Sequence, residues 1–138
     1  MNEYRWEDIS LGLQAGFEAE FTEDMVLEFQ KISNDTNPLH SDSAHAKKVG
    51  FDSPVLFGLM TSSLYSRLVG VLLPGKYAML HGIDIDFSSP CFVGDVLYCE
   101  GSVVFLNEAF RRFEIKASIR NAAGKRISKA KIRVGFHA

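Results

Sequence analysis

Residues 59–75 read LMTSSLYSRLVGVLLPG, and this stretch decides the fold class. Apolar side chains recur along it at helical spacing and also fill much of the remaining surface, which is typical of a helix buried on nearly all sides. Pro74 and Gly75 end the helix. We therefore predict one long buried helix, whose apolar positions are Leu59, Met60, Leu64, Tyr65, Leu68, Val69, Val71, Leu72 and Leu73.

The hydrophobic period changes to two after this helix. Ile83, Ile85 and Phe87 alternate with two aspartates, which predicts a strand with one buried and one solvated face. Successive strands joined by turns form an antiparallel meander, and the apolar helix has to pack against it. The predicted fold class is therefore α+β, with an antiparallel sheet wrapped around one long buried helix. Three further strand segments follow, at residues 96–106, 113–119 and 130–136.

The first half of the chain predicts one strand and two helices. A short strand at 17–21 precedes Thr22, a residue type that caps helices, and an amphipathic helix at 23–33. Ser41 or Asp42 caps a second, shorter helix. The apolar face of the first helix consists of Met25, Val26, Phe29 and Ile32.

Composition narrows the classes of protein. With 138 residues the chain suits one domain, residues 1–138, and its net charge of -2 argues against an electrostatically driven nucleic-acid binder. Cys91 and Cys99 match neither a disulfide framework nor a zinc motif, so we expect two free thiols, buried or half-buried, in a reducing compartment. The polar N-terminus and the interrupted apolar stretch at 55–74 predict no secretory signal and no membrane span, and hence a cytoplasmic protein.

Two places carry candidate chemistry. Asp35 and His40 flank the Asn37-Pro38 turn, so a bent loop can turn a carboxylate and an imidazole towards one water as base and acid. Gly58 opens the buried helix, where a free N–H and a close backbone approach suit a developing oxyanion. The structural alternatives are a pair of surface residues and a simple turn glycine.

Taken together, these segments resemble the MaoC-like (R)-specific enoyl-CoA hydratases and dehydratases. The resemblance rests on Ser33-x-Asp35-x-Asn37-Pro38-Leu39-His40, on Pro54 followed by Gly58, on Leu73-Pro74-Gly75-Lys76, and on Phe87-x-x-Pro90-x-Phe92-x-Gly94-Asp95, all in consistent order. It implies the hot-dog fold and a homodimer with a substrate tunnel at or near the subunit interface.

The resemblance also implies a role for each site residue. Asp35 is then the general base and His40 the partner acid, together holding the water that adds across a trans-2-enoyl thioester. The backbone N–H of Gly58 stabilises the enolate oxygen, Ser66 hydrogen-bonds and positions Asp35, and Asn37 braces the loop. No metal and no redox cofactor is expected, because the substrate is an acyl-CoA or acyl-carrier-protein thioester and the thioester group itself activates it for the addition of water.

The sequence departs from the family pattern at two positions. Phe57 replaces a common histidine beside Gly58, so we expect its ring in the pocket, where it changes which acyl group fits. Asn34 replaces a common glycine and tolerates the left-handed backbone region better than most residues. Arg111 and Arg112 are either an exposed charge pair on a hairpin or a contact for coenzyme A phosphates.

The predicted function is the reversible hydration of trans-2-enoyl-CoA to (R)-3-hydroxyacyl-CoA by Asp35 and His40. A first alternative keeps the fold and uses a 3-hydroxyacyl group on acyl carrier protein, or another specialised thioester. A second alternative is a non-catalytic acyl-thioester binding protein, and a thioesterase on the same fold is a weaker one.

Overall fold

The computed structural model describes residues 1–138. Its centre is one antiparallel sheet with the strand order β1-β3-β4-β5-β2, in which β3, β4 and β5 form the predicted meander and β1 and β2 are the edges. The α+β prediction is confirmed. The strands are β1 (Gln14–Ala19), β2 (Ala78–Phe87), β3 (Leu97–Asn107), β4 (Arg112–Asn121) and β5 (Arg126–Phe136).

Alternation along the strands separates an inner from an outer face. In β4, Ile115 and Ala117 are buried beneath the helices, whereas the intervening Lys116 is exposed. On β2, Asp84 lies on the solvated face, as predicted, and accepts a hydrogen bond from Arg133 at 3.1 Å. The first strand is shifted from the prediction: β1 covers Gln14–Ala19 instead of 17–21.

The helix predicted over 59–73 is a composite that we call the central helix. It consists of α3 (Gly58–Thr61), α4 (Ser63–Arg67) and a π-helical turn (Leu68–Leu72). The break near Ser62 has a local cause, since hydroxyl groups in this turn donate to the Gly58 carbonyl and compete with the backbone ladder. Continuity was therefore predicted wrongly, although the helical path was predicted correctly.

Burial of the central helix is one-sided. Met60, Leu64 and Leu68 pack into the core with the inner face of the sheet, whereas Leu59 is 69% exposed and Ser63 is also exposed. The prediction of a helix buried on nearly all sides is therefore wrong on this face. One side of the central helix remains open to solvent.

Two helices precede the central helix. α1 spans Glu23–Ser33 as predicted, with the Thr22 hydroxyl accepting from Met25 N at 3.3 Å. α2 spans Ser43–Lys48, and the Asp42 carboxylate caps it by accepting from the N–H groups of its second and third residues.

The packing face of α1 differs from the predicted one. Val26 and Phe29 contact the core, but Met25 and Ile32 are 43% and 81% exposed. Helical spacing identified the apolar residues but not the subset that contacts the core.

Cys91 and Cys99 are both buried and free, as predicted. None of the helices combines the length and the apolar character that crossing a membrane requires.

Candidate active site

A pocket of about 340 Å³ opens between the start of the central helix and the end of β2. Backbone and side chains of three segments meet here: the turn after α1, the first residues of α3, and the chain that follows β2. Six of the lining residues matter for the chemistry: His40, Gly58, Thr61, Phe87, Pro90 and Cys91.

His40 ends a 3-10 turn (Pro38–His40) that Asn37 caps through a hydrogen bond from Leu39 N at 3.0 Å. The Nδ1 atom of His40 lies 2.6 Å from the carbonyl oxygen of Val55. Because a carbonyl only accepts, Nδ1 carries the hydrogen in this contact. Nε2 is thus the ring nitrogen left for a substrate, as an acceptor when the ring is neutral and as a donor when it is charged.

Phe57 supports the imidazole from behind. Its ring stacks on His40 with centroids 4.1 Å apart and packs against Phe29 at 4.9 Å. Phe57 is only 3% exposed and does not line the pocket, so its predicted place in the pocket wall is wrong. The side chain turns inwards at the N-cap of α3 because the core between α1 and the central helix takes up the ring.

Gly58 is the first residue of α3, so its N–H has no partner in a preceding turn. A Cβ at this position would lie 2.9 Å from Cε1 of Phe87, so a larger residue here would require the half-exposed Phe87 ring to shift. Its carbonyl accepts from Thr61 Oγ1 at 2.7 Å and from Ser62 Oγ at 2.8 Å. The N–H itself belongs to the preceding peptide, whose Phe57 carbonyl accepts from Thr61 N at 3.1 Å.

Asp35 lies outside this pocket. It is exposed, and its Oδ1 accepts from Asn37 N at 3.0 Å, while its own N–H donates to Ser33 Oγ at 3.1 Å. Asn34 has a φ of 54°, which confirms the left-handed backbone expected there. No hydrogen bond joins Asp35 to His40. Oδ2 of Asp35 is free for a further partner.

Ser66 is also exposed, and no hydrogen bond links it to Asp35. The positioning contact that the resemblance implies between these two residues is absent from the isolated subunit. The structure therefore brings His40 and Gly58 into one pocket and leaves Asp35 and Ser66 on the surface.

Sequence reasoning missed three contributors to the site. Thr61 fixes the Gly58 peptide and lines the pocket, and a hydroxyl three residues after a helix-opening glycine was an available signal. Phe87 was predicted to be a buried strand residue and was given no place in the site, but it is 52% exposed and faces Gly58. The carbonyl of Val55 carries no signal in the sequence, because every residue has one.

Cys91 lines the pocket but does not supply a nucleophile. It is 2% exposed, and burial, together with the nearby Asp95 charge, raises the pKa of its thiol to about 12. The thiol is therefore protonated at neutral pH, and the thiolate is the reactive form. Acid–base chemistry at His40 remains the chemistry that this pocket offers.

Comparison with known proteins relates the chain to one family. Residues 11–123 match the MaoC like domain. An (R)-specific enoyl-CoA hydratase of Aeromonas caviae is 36% identical over 102 residues, which cover 74% of this chain and 76% of the relative. A solved structure of an (R)-hydratase from A. caviae superposes with a TM-score of 0.90 at 31% identity, covering 94% of this chain and 98% of the other.

A second kind of relative is a mitochondrial 3-hydroxyacyl-[acyl-carrier-protein] dehydratase, FERN, of Solanum lycopersicum. It is 30% identical over 100 residues, covering 72% of this chain, and the chain spans 59% of its length. Fold, pocket and relatives together define a hot-dog enzyme of the hydro-lyase class. The chain belongs to the MaoC-like domain family.

Proposed function

We propose that this enzyme catalyses the reversible hydration of trans-2-enoyl-CoA to (R)-3-hydroxyacyl-CoA. The observation that carries the proposal is the pairing, in one pocket, of an imidazole whose tautomer is fixed by Val55 with the free N–H of Gly58. An acid–base group and an oxyanion donor are the two elements that addition of water to an enoyl thioester needs.

In this mechanism Asp35 takes a proton from water as the water oxygen bonds to C3 of the substrate. The C2–C3 double bond opens, and negative charge moves to the thioester oxygen, which the Gly58 N–H stabilises by donating a hydrogen bond to it. His40 Nε2 then delivers a proton to C2. Dehydration of the (R)-3-hydroxyacyl thioester runs through the same groups in reverse.

The exposure of Asp35 is explained by a second part of the proposal, a homodimer. Ile32 lies just before the Asp35 loop and is 81% exposed, and Leu59, next to Gly58, is 69% exposed. Large apolar side chains of this kind beside a site mark a surface that another protein covers. We infer that a second copy covers it and converts the open pocket into a tunnel in which Asp35 and His40 face one water.

Edge strand β2 provides the dimer contact in this proposal. Its free edge carries Met79, Leu80 and Phe87, which are 44%, 48% and 52% exposed. A ten-residue edge strand with exposed apolar side chains is a ready template for pairing with a copy of itself. Two copies related by a two-fold axis pair in antiparallel fashion.

We further propose that catalysis needs neither a metal nor a redox cofactor, because the thioester carbonyl itself activates C3. Cytoplasmic location stays a prediction from the sequence.

The test is a hydration assay with crotonyl-CoA and longer trans-2-enoyl-CoAs, which follows loss of the enoyl-thioester absorbance. Asp35→Asn is the informative variant, because the amide oxygen still accepts from Asn37 N and preserves the turn. We expect it to fold as the wild type does and to lose about 10²–10⁴-fold in kcat. Equal inactivity of wild type and Asp35→Asn on every substrate contradicts the proposal.

Thioesters on acyl carrier protein are the second candidate substrate, favoured by the similarity to the plant dehydratase. Rates on crotonyl-CoA and on the matched crotonyl thioester of acyl carrier protein separate the two. Tight binding of acyl-CoA without turnover, unchanged in His40→Ala, identifies instead a non-catalytic binding protein.

A further inference from the structure

A polar contact lies inside the core, between the central helix and β5. The Tyr65 hydroxyl oxygen lies 2.8 Å from Oγ of Ser128, and the two residues are 1% and 0% exposed. Burial raises the pKa of Tyr65 to about 12, so at neutral pH the contact is a hydrogen bond between two uncharged hydroxyl groups. Both groups are buried, and neither residue lines the catalytic pocket.

Ser128 lies at the point of β5 that supports one wall of the catalytic pocket. Its Cα partner in the ladder with β2 is Phe87, whose ring lines the pocket. The preceding residue, Ile127, also lines the pocket, and its carbonyl accepts from Ser88 N at 2.8 Å and from Ser89 N at 3.3 Å. The pocket wall that follows β2 is therefore attached to β5 next to Ser128.

Tyr65 lies in α4, and hydrogen bonds connect it to the start of α3. Its N–H donates to the Ser62 carbonyl at 3.0 Å, and the N–H and the hydroxyl of Ser62 donate to the Gly58 carbonyl at 2.9 and 2.8 Å. This path crosses the break between α3 and α4. Because α3 has only four residues, its own hydrogen bonds do not fix its direction, and contacts across the break contribute to its position relative to the sheet.

Burial alone does not call for these two hydroxyl groups. Tyr65→Phe and Ser128→Ala would fill nearly the same space without any polar atom. A hydrogen bond has a preferred distance and direction, whereas the hydrophobic effect has no direction, so a satisfied polar pair restricts how a helix sits on a strand. The pair joins the helix that begins at Gly58 to the strand behind Phe87 and Ile127.

We propose that Tyr65 and Ser128 are positioning residues, whose hydrogen bond sets the distance between the Gly58 N–H and the pocket wall formed by Phe87 and Ile127. The inference rests on the proposed function for the reaction in which the Gly58 N–H takes part. Neither Tyr65 nor Ser128 touches the substrate, and both act through the elements that they join.

Unfolding in urea first measures what the pair contributes to stability. Ser128→Ala leaves the Tyr65 hydroxyl buried without its partner, whereas the double variant Tyr65→Phe/Ser128→Ala replaces both hydroxyl groups by apolar atoms. An unpaired buried hydroxyl is costly, while removal of both partners is nearly neutral. We expect the urea midpoint to fall in Ser128→Ala and to return most of the way to the wild-type value in the double variant.

Kinetics with crotonyl-CoA then separate positioning from stability. In the double variant we expect kcat to stay at least about tenfold below wild type with KM within about twofold, because a displaced oxyanion donor weakens the transition state more than the bound substrate. Stability is therefore regained and activity is not. A double variant whose kcat returns to the wild-type value overturns the inference.

Val103→Ala is the matched control for a loss of core packing. Val103 is 2% exposed on β3 and does not line the pocket. We expect its urea midpoint to fall and its kcat to stay at the wild-type value. If kcat falls in this variant as much as in the double variant, any loosening of the core lowers activity, and the inference is overturned.

Hydrogen exchange tests the same coupling without turnover. The N–H groups of Ser62 and Ser88 report on the two sides of the pocket, since they donate to the carbonyls of Gly58 and Ile127. We expect both to exchange at least about tenfold faster in the double variant than in wild type, while exchange along the ladder of β3 and β4 stays unchanged. Unchanged exchange at either N–H overturns the inference. If the exchange result is as expected and the wild type shows no turnover, the coupling is supported and the hydratase proposal alone fails.

Discussion

His40 and Asp35 are five positions apart in the sequence, yet the fold fixes His40 in a pocket and leaves Asp35 exposed. His40 is held between the Val55 carbonyl and the Phe57 ring, beside a Gly58 peptide that is itself fixed. Asp35 sits on an exposed turn whose hydrogen bonds are all local. The half of the site with His40 and Gly58 is positioned by the core of the single chain. The half with Asp35 is positioned only by local hydrogen bonds within its loop.

The difference follows from what each residue contacts. Contacts to the Val55 carbonyl and to the buried Phe57 ring at the start of the central helix fix the imidazole side. The carboxylate side has only Ser33 and Asn37 as partners and is flanked by the exposed Ile32. We interpret this contrast from the proposed homodimer as follows: the Asp35 half of the site is completed only at the subunit interface.

The largest expected effect comes from the preformed half. In His40→Asn the amide nitrogen can still donate to the Val55 carbonyl, but the atom equivalent to Nε2 is gone. We expect kcat for crotonyl-CoA to fall about 10²–10⁴-fold while the fold, monitored by circular dichroism, is retained. A variant that keeps more than about a tenth of the wild-type kcat would show that His40 does not donate the proton.

A second, smaller effect tests the half that the isolated subunit leaves open. Leu80→Lys places a charge on the free edge of β2, where we expect it to weaken the dimer at least about tenfold and to lower activity in parallel. Analytical ultracentrifugation over a range of concentrations measures this. Leu11→Lys is the matched control, because Leu11 is 64% exposed beside the opposite edge of the sheet. Equal dissociation of both variants, or of neither, contradicts pairing through β2.

The smallest expected effect concerns the buried groups behind the preformed half. Burial, reinforced by the Glu100 charge, raises the pKa of the Cys99 thiol from 9.0 to about 12. A raised pKa in the folded state means that the stabilisation is complete below about pH 9 and is lost as the pH rises towards 12. We expect the free energy of unfolding in urea to fall by up to about 1.4 kcal/mol per pH unit for this proton.

Cys99→Ala should remove that contribution and flatten the alkaline decline, whereas Asp35→Asn should leave it unchanged. The prediction would be contradicted if the free energies of unfolding of wild type and Cys99→Ala changed in parallel between pH 8 and pH 10.5. Tyr65, whose pKa burial raises to about 12, adds a decline of the same sign that both variants retain.

Secondary structure was largely predictable because local chemistry decides it. Thr22 and the period of the following residues gave the bounds of α1, and strict alternation gave the meander. The sequence did not show that Met25 and Ile32 would be exposed, since helical spacing reports apolarity and not contact. Nor did it show the break at Ser62, which depends on where two hydroxyl groups find an acceptor.

The site was predictable in its residue types and only partly in its arrangement. Phe57 illustrates the limit: its position next to Gly58 suggested the pocket wall, but the ring lies beneath His40 because the core has room for it there. For Arg111 and Arg112 the sequence left two interpretations open, an exposed charge pair on a hairpin or a contact for coenzyme A phosphates. Their meeting with Arg5 and Trp6 depends on the folding of distant segments onto one cavity.

By itself the sequence determined the α+β class, the meander, the free cysteines and the residues able to move protons, because composition, period and capping act over a few residues. Only the tertiary structure decided which nitrogen of His40 is free, that Gly58 lies against the Phe87 ring, and that Asp35 faces solvent. Those features depend on atoms brought together from distant parts of the chain. Their distances are set by the packing of the whole sheet against the central helix and by no local pattern.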